Sequence, residues 1–422
     1  ADPRRPRRPG GGGRAVCART THACHGPPDP APPVPRDREG LLTQVLPALA
    51  DTVRTGARRR EEQRTLPYRE MQAFRDSGLG SLRVPALLGG PGGSIADVVK
   101  AVVRLAAADS NVAQATRAHF AHIERLLEPG LPDAGRRLRE LREGVLVGEA
   151  TSERTGTRPF DLGTRLRRTG GRLLLTGEKH YATGGLFASH LTVLALDDAD
   201  RPVWALVPVD APGVELWDDW EGMGQRLTAT GSAVFTDVEV DPAAVLRPAP
   251  GRPEPTVTSS FRALHLAAVG AGIATAAVSD IAGFTRTNPR AAEAAEAGRA
   301  ADDPFVRAAV GEAATLAYTA RSVVLSAARA LDAAAEHRSA DELAAAAAEV
   351  TQAKVVADRA AQQAATVIFD AAGASATLTS EGLDRHWRNA RTLASHDHAA
   401  HAARAIGDYV LHRTAPPGDG LP

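Results

Sequence analysis

A cluster of histidines lies near the C-terminal end of the chain, where residues 395–401 read SHDHAAH. Imidazole and carboxylate groups can bind metal ions or move protons. On one continuous helix, a step of about 100° per residue would turn His396 and His398 roughly 160° apart, so they could not hold the same ion. Asp397, His398 and His401 could share a face, but they would supply only three ligands. We predict that His396 faces a functional cavity; a metal site and a solvated face are the alternatives.

A second histidine pair, His119 and His122, is three residues apart on a segment with helical periodicity. This spacing places both rings on one face of a helix. A structural metal site needs four ligands as a rule, and no matching cluster is apparent nearby in the sequence. We therefore predict no metal site in this protein, and we expect His398 and His401 to be surface residues.

The elements that must position these histidines fall into three zones, flanked by two tails. A Pro-, Gly- and Arg-rich segment, residues 1–38, has no apolar period and is predicted to be a disordered tail. Apolar residues at three- and four-residue steps predict an N-terminal helical domain over 39–143. Short β-rich runs separated by turn residues predict a central β domain over 144–250. Long Ala-rich helices are predicted over 251–412, and 413–422 form a second tail.

Two local signals are specific within these zones. Gly170 and Gly171 separate two β-rich runs, and their permissive backbone predicts a hairpin turn. The segment that ends at Gly373 has a helical pattern long enough for about eight turns, and the glycine is expected to stop it. Because strands and helices are segregated along the chain, the fold class is α+β rather than a doubly wound sheet. No glycine-rich dinucleotide motif follows a strand.

The composition favours a small molecule as the ligand. Fifty basic residues balance 50 acidic ones, so the charge gives no reason to expect nucleic acid or anionic lipid as a partner. No run of apolar residues is judged long enough to span a membrane. The two cysteines, Cys17 and Cys24, lie in the N-terminal tail, so no disulfide framework is expected and a reducing cytoplasm fits.

Four stretches, in order, carry a resemblance to a known family. They are TGEKHYATGGLFASH (176–190), GVELWDDWEGMGQRLTATGSAVFTDVEVDP (213–242), FTRTNPR (284–290) and LDRHWRNARTLASHD (383–397). From about residue 41 onward the chain resembles the acyl-CoA dehydrogenase superfamily, and most closely its flavin-dependent monooxygenase branch, typified by dibenzothiophene monooxygenase. The resemblance implies an N-terminal helical domain, a central β-barrel or sandwich domain and a C-terminal four-helix bundle.

The departures from the dehydrogenases are equally informative. Those enzymes remove a carbon-bound proton with a carboxylate, but SSFRALHLAAVGAG (259–272) and HWRNARTLASHD (386–397) do not offer such a base at the corresponding places. The chain also has FDAAGASAT (369–377) where the dehydrogenases carry a Gly-Gly motif for the adenosine half of FAD. FMN is therefore the expected cofactor, and FAD is less favoured.

The resemblance also implies which residues contact the flavin. Glu149, Ala150 and Thr151 correspond to the pyrimidine side of the ring, Tyr181 and Thr183 to positions near N5, and Trp220 to a tryptophan beside the isoalloxazine. Arg286 corresponds to an arginine that reaches the flavin phosphate of a neighbouring subunit, and Gly373, Ala374 and Ser375 to a turn near that phosphate. His119 and His396 correspond to histidines around C4a. From the residues alone, Trp220 and Tyr181 could be structural aromatics, Arg286 a solvated charge, and Thr183 the donor of a local backbone hydrogen bond.

The implied activity is that of a two-component monooxygenase. Reduced flavin from a separate reductase would react with O₂ to a C4a-hydroperoxyflavin, which oxygenates a small organic substrate at sulfur, nitrogen or an aromatic carbon. His119, Thr183 and His396 would hydrogen-bond the peroxide, and the family implies a homotetramer. Two alternatives remain open: an acyl-CoA dehydrogenase or oxidase with a relocated base, and a catalytically inactive flavin-binding homologue.

Overall fold

The computed structural model describes residues 35–131, 133–154, 162–247, 254–287 and 298–418. Most of the expected N-terminal tail, and with it both cysteines, lies outside these residues. The first helix begins at Arg38, the last residue assigned to that tail, because Asp37 accepts a hydrogen bond from the Gly40 amide and caps the helix. After the last helix, residues 413–418 have no regular structure, and 419–422 lie outside the described range.

The N-terminal zone is helical throughout. Its α-helices are α1 (Arg38–Gly40), α2 (Leu46–Arg54), α3 (Ala57–Gln63), α4 (Tyr68–Asp76), α5 (Ile95–Ala108), α6 (Ser110–Ala115), α7 (Arg117–Leu126) and α8 (Ala134–Glu140), with a π-helical segment at Leu41–Val45. Ser94 and Asp97 form a capping box at the start of α5. Asp109 is extended and caps α6 with its side chain, so the long helical period seen in the sequence is divided into separate helices.

The central zone forms one eight-stranded sheet with the order β6-β7-β3-β2-β4-β5-β8, and β1 pairs with β4. Its strands are β1 (Val147–Ala150), β2 (Arg165–Thr169), β3 (Arg172–Ala182), β4 (His190–Leu196), β5 (Pro202–Pro208), β6 (Val214–Leu216), β7 (Gly231–Val240) and β8 (Val245–Leu246). Gly170 and Gly171 connect β2 to β3 with φ of 57° and 84°, as the predicted hairpin requires.

The C-terminal zone contains long helices packed through small side chains. They are α9 (Val257–Thr287), α10 (Pro304–His337), α11 (Ala340–Ala372), α12 (Asp384–Leu393) and α13 (Ala399–His412). Gly373, with φ of 60°, ends α11 as predicted. A Cβ atom built on Gly270 of α9 would lie 3.6 Å from the Ala357 carbonyl oxygen of α11 and 3.7 Å from Leu393 Cδ2 of α12. The three helices therefore approach one another closely at Gly270, Ala357 and Leu393.

The α+β fold class is confirmed, because along the chain the strands of one sheet follow the N-terminal helices and precede the C-terminal helices. One expectation from the sequence is corrected, namely that no apolar segment is long enough to span a membrane. By length and composition alone, α9 could cross a membrane, which the sequence analysis did not expect. In the structure 61% of its most apolar window is buried inside the protein, and the core helix of a soluble protein passes the same test. This helix is therefore only weak evidence for a membrane span.

Candidate active site

The histidine cluster lies in a turn between two helices, which corrects the premise that it forms one helical face. α12 ends at Leu393 and α13 begins at Ala399. The amides of Ser395 and His396 donate back to the last turn of α12, whereas His398 is the N-cap residue of α13. The helical-wheel argument therefore does not apply here. His398 and His401 are exposed, as predicted, with ring centroids 5.4 Å apart.

The ring of His396 has a defined tautomer. Its Nδ1 lies 2.9 Å from the Leu393 carbonyl oxygen, and because a carbonyl only accepts, Nδ1 carries the proton and Nε2 is an acceptor. The side chain is reached by solvent, yet desolvation by the surrounding protein, followed by the positive charge of Arg117, lowers the pKa of His396 to about 4. At neutral pH His396 thus presents a neutral ring with an unprotonated Nε2.

A buried ion cluster lies beside this histidine. The Glu149 carboxylate, at the end of β1, pairs with Arg117 of α7 at 3.1 Å and with Arg262 of α9 in a closer contact. Burial alone would raise the pKa of Glu149, but Arg262 and Arg117 outweigh it and hold the pKa at about 2. Glu149 therefore stays ionised at neutral pH, and its carboxylate is directed at the two arginines.

The residues expected near the flavin ring lie together on the other side of Glu149. The Glu149 amide donates to the Thr183 carbonyl oxygen at 3.2 Å. Thr183 Oγ1 accepts from Thr230 Oγ1 at 3.1 Å, and its own proton has only a 3.5 Å contact with the Tyr181 carbonyl oxygen. The Tyr181 ring is 47% exposed and meets Trp220 edge to face, with centroids 5.7 Å apart. This pair presents an accessible aromatic surface beside a threonine hydroxyl.

The loop that carries Trp220 is fastened to α12 and α6. Trp220 Nε1 donates to the Gln225 carbonyl oxygen at 2.9 Å, and the Gln225 amide donates to Asn389 Oδ1 of α12 at 2.5 Å. Gln225 Nε2 donates to Ser110 Oγ of α6 at 3.0 Å. Asn389 belongs to α12, which leads into the turn that holds His396, and Arg117 of the ion cluster acts electrostatically on His396. We name the aromatic pair, the threonines, the ion cluster and His396 together the candidate site.

Three residues of these segments have a left-handed backbone conformation. Tyr181, Gln225 and Ala229 are non-glycine residues with φ of 72°, 50° and 50°. Such conformations cost about 1–3 kcal/mol each and persist where the surrounding structure enforces them, often at functional sites. Six other described non-glycine residues also have positive φ, so among the three only the φ of 72° at Tyr181 is unusual.

The placement of His119 does not agree with the expected contact between this histidine and the flavin. Its ring is 1% exposed, Nε2 donates to the Gly80 carbonyl oxygen at 2.9 Å, and Nδ1 accepts from the Val147 amide at 3.4 Å. Desolvation lowers the pKa of His119 to about 4. Both ring nitrogens are thus bonded to the backbone, so His119 ties α7 to β1 and has no polar atom left for a ligand.

The residues expected near the flavin phosphate lie far from the candidate site of the same chain. Arg286 is exposed on the last turn of α9, and Gly373, Ala374 and Ser375 are exposed just beyond α11. Arg286 lies sixteen residues after Gly270 on α9, and Gly373 lies sixteen residues after Ala357 on α11. Each separation is about 24 Å along the helix axis. The two segments therefore share one end of the bundle, far along the helix axes from the level of Leu393 at the end of α12.

A cavity of about 460 Å³ separates these two regions. It lies between α3, the end of α5, the second half of α9 and the start of α12, and none of the residues expected to contact the flavin lines it. Its most prominent polar group is Asp280, which accepts from His386 Nε2 at 2.8 Å and also pairs with Arg385. Within the described residues, no group of three or more His, Cys, Asp or Glu side chains is arranged to hold a metal ion.

Arg117, Arg262, Thr230 and Asn389 belong to the site but were not identified from the sequence. Only a weak indication of these residues was present in the sequence. Arg262 is the only charged residue in the otherwise buried first half of α9, and a buried charge requires a partner. Such a signal identifies a paired residue but not the site to which it belongs.

Comparisons with known proteins identify the family of the chain. The acyl-CoA dehydrogenase middle domain family matches residues 149–238, and the C-terminal domain family matches 264–401. The chain is 30% identical over 399 residues to a probable FMNH2-dependent monooxygenase, SfnC, of Pseudomonas putida, covering 92% of this chain and 97% of that protein. It is 29% identical over 369 residues to a dibenzothiophene monooxygenase of Mycolicibacterium goodii, covering 82% and 88%.

Solved structures give the same result. The complex of TdsC from Paenibacillus sp. A11-2 with FMN and indole matches with a TM-score of 0.81 at 28% identity, covering 89% of this chain and 98% of that one. The methanesulfinate monooxygenase MsuC of Pseudomonas fluorescens also matches with a TM-score of 0.81 at 28% identity and the same coverage. The chain therefore belongs to the acyl-CoA dehydrogenase superfamily, in its branch of flavin-dependent monooxygenases.

Proposed function

We propose that this flavin-dependent monooxygenase takes reduced FMN from a separate flavin reductase and uses it with O₂ to oxygenate a small organic substrate at sulfur, nitrogen or an aromatic carbon. The names of relatives support sulfur, through dibenzothiophene and methanesulfinate, and nitrogen, through an amino sugar nitrososynthase. The observation that carries the proposal is the Tyr181–Trp220 aromatic pair beside the Thr183 hydroxyl, with the neutral His396 on the turn that follows α12.

The residues of the candidate site fit a flavin ring. The half-exposed Tyr181 and the adjoining Trp220 offer an aromatic surface, and the Thr183 hydroxyl, near the Tyr181 carbonyl oxygen, lies beside it. Strand β1, with Ala150 and Thr151 after Glu149, would border the pyrimidine side of the ring. Reduced FMN supplies two electrons, so that one atom of O₂ enters the substrate and the other leaves as water.

Two side chains of this protein would manage protons next to the reacting oxygen. His396 Nε2, an acceptor at neutral pH, would hold an O–H proton in place, and the Thr183 hydroxyl would donate to the opposite side. Tyr181 and Trp220 would cover the site and exclude water, which otherwise promotes the loss of H₂O₂. Because the His396 ring is already neutral, it can accept this proton without first losing one.

The carboxylates beside the candidate site argue against a dehydrogenase with a relocated base. Glu149 has a pKa of about 2 and is paired with two arginines, which makes it a weak base. Asp397 follows His396, but its carboxylate is directed at Lys354, 3.3 Å away. Neither group is prepared to remove a carbon-bound proton, whereas oxygen transfer from a flavin needs no such base.

The decisive experiment is anaerobic reduction of the protein with FMN, followed by rapid mixing with O₂. A monooxygenase should delay the return of the oxidised flavin spectrum, and added substrate should convert the reducing equivalents into oxygenated product. A dehydrogenase would instead be bleached by an acyl-CoA substrate without a reductase. Immediate, complete release of H₂O₂ with dibenzothiophene, with methanesulfinate and without substrate would favour the inactive flavin-binding homologue.

We also propose a cytoplasmic homotetramer. Large apolar side chains are exposed on α10 (Phe305, 83%, and Tyr318, 65%) and on α13 (Val410, 62%, and Leu411, 75%), as expected of surfaces that other subunits cover. Light scattering at micromolar concentration should give four times the mass of the chain. A stable monomer with undiminished FMN affinity would contradict this proposal. A cytoplasmic location would give the enzyme access to soluble reduced flavin.

The cofactor assignment predicts a phosphate-dependent affinity. Reduced FMN should bind at least as well as reduced FAD and better than riboflavin, and Arg286→Ala should weaken FMN binding by about 1.5–3 kcal/mol, the usual value of a charge-assisted hydrogen bond. Riboflavin binding should not change. Arg167→Ala, on the exposed side of β2, is a matched control that should leave both affinities unaltered. Equal binding of riboflavin and FMN by the wild-type protein would remove the phosphate-site assignment.

A further inference from the structure

Lys354 lies inside the bundle and contacts two carboxylates. It belongs to α11, its side chain is 8% exposed, and its Nζ lies 2.7 Å from Asp358 Oδ2 and 3.3 Å from Asp397 Oδ2. Asp358 is one helical turn away on the same helix. The second contact is different, because it crosses from α11 to the turn that carries His396.

The contact with Asp397 does not serve to neutralise a buried acid. The Asp397 side chain is 58% exposed, so water can solvate its charge, and Asp358 alone already provides Lys354 with a partner. The contact therefore mainly restricts where the turn can lie relative to α11.

The turn has few other attachments. The backbone hydrogen bonds described for residues 394–398 are local: Ser395 and His396 donate to the last turn of α12, and His398 accepts from His401 at the start of α13. Helix α13 packs against α11, but Ala405 is its only fully buried residue. Of the polar contacts described for this turn, the one between Asp397 and Lys354 reaches a long core helix.

We propose that Lys354 is a positioning residue which, by holding the Asp397 carboxylate, fixes the turn between α12 and α13 and directs the His396 ring into the candidate site. This inference rests on the proposed role of His396 and extends it to a residue inside the bundle. A turn that moves by about 1 Å displaces a proton-handling group enough to slow its step by up to about 10²-fold.

The test compares Lys354→Met, Lys354→Arg and Asp397→Asn with the wild-type protein. Hydrogen exchange of the amides in 394–400 should accelerate about tenfold in Lys354→Met and Asp397→Asn, while exchange within α12 stays unchanged. The reduced, FMN-loaded variants should return to the oxidised flavin spectrum about 10- to 100-fold faster after mixing with O₂. Lys354→Arg, which keeps the positive charge, should have exchange and reoxidation rates close to those of the wild type.

Two controls separate the possible outcomes. Lys100→Met removes a lysine that pairs with Asp97 but is half exposed and far from the turn along the chain, and it should leave both measurements unchanged. The double variant of Lys354→Met and Asp397→Asn should be no worse than Lys354→Met alone, because Lys354→Met already removes the contact with Asp397. Asp397→Asn, at an exposed position, carries the test if Lys354→Met fails to fold.

The inference and the proposed function can fail separately. Wild-type exchange in 394–400 and wild-type flavin reoxidation in both Asp397→Asn and a folded Lys354→Met would overturn the positioning role. If His396→Ala also reoxidises like the wild type, the role of His396 itself is wrong, and hydrogen exchange still decides whether Lys354 holds the turn. Faster reoxidation in His396→Ala but not in Asp397→Asn would refute the inference alone.

Discussion

His396→Ala is expected to yield a folded protein that binds FMN but wastes its reducing equivalents. In the presence of a reductase, NADH and O₂ should still be consumed, with H₂O₂ in place of oxygenated product. The loss of one positioned proton-transfer group costs about 10²–10⁴ in rate. The physical reason is the orientation of the ring, since Nδ1 is bound to the Leu393 carbonyl oxygen and Nε2 is left as the acceptor. Product yield per NADH and the H₂O₂ yield measure this uncoupling.

The neighbouring histidines provide the matched controls. His398→Ala and His401→Ala remove exposed rings and should change the coupling little. A metal site would give the opposite ranking, with these two variants inactive and EDTA abolishing turnover. About one metal ion per chain, together with inactivation by chelation, would therefore refute the assignment of His396.

Glu149→Gln should destabilise the protein by about 3 kcal/mol at pH 7, because Arg117 and Arg262 would then face a neutral amide in a buried setting. The stabilisation by the ion pairs of Glu149 should decrease at low pH. The pKa of Glu149 is about 2 in the folded protein and 4.5 in its reference state, so the stabilisation is complete above pH 4.5 and is lost as the pH falls towards 2. Urea unfolding at pH 7, 5 and 3 should show the difference shrinking only at the lowest pH.

An exposed ion pair provides the comparison for this prediction. Glu239 lies 3.6 Å from Arg172, and both side chains are 62% exposed. Glu239→Gln should change the unfolding free energy by less than about 1 kcal/mol at any of these pH values. An equal effect of both substitutions would mean that the buried cluster adds no stability of its own.

The sequence predicted those features that depend on local backbone preferences. The end of α11 at Gly373 and the hairpin at Gly170 and Gly171 follow from positive φ angles that glycine adopts readily. The segregation of strands and helices, and with it the fold class, follows from hydrophobic periodicity. The family resemblance then selected Tyr181, Thr183 and Trp220, which the structure brings together.

The features that the sequence did not reveal depend on tertiary contacts. Whether a helix continues through SHDHAAH is decided by how α12 and α13 pack, and no proline or glycine marks the break at 394–398. His119 matched a family position, but its role depends on the Gly80 carbonyl oxygen and the Val147 amide, which are distant along the chain. Arg117 was overlooked because a charged residue at the start of a helix is usually exposed, and its partner Glu149 lies in another domain of the fold.

The roughly 24 Å along α9 and α11 between the level of Gly270 and the shared end of these helices has a thermodynamic consequence under the proposed assembly. If the ring of one FMN rests on one chain and its phosphate on Arg286 of another, each bound FMN is itself part of a subunit contact. Cofactor affinity and subunit affinity are then linked quantities: FMN must tighten association by the same factor by which association tightens FMN binding. Dilution should release cofactor and subunits together, and added FMN should restore both.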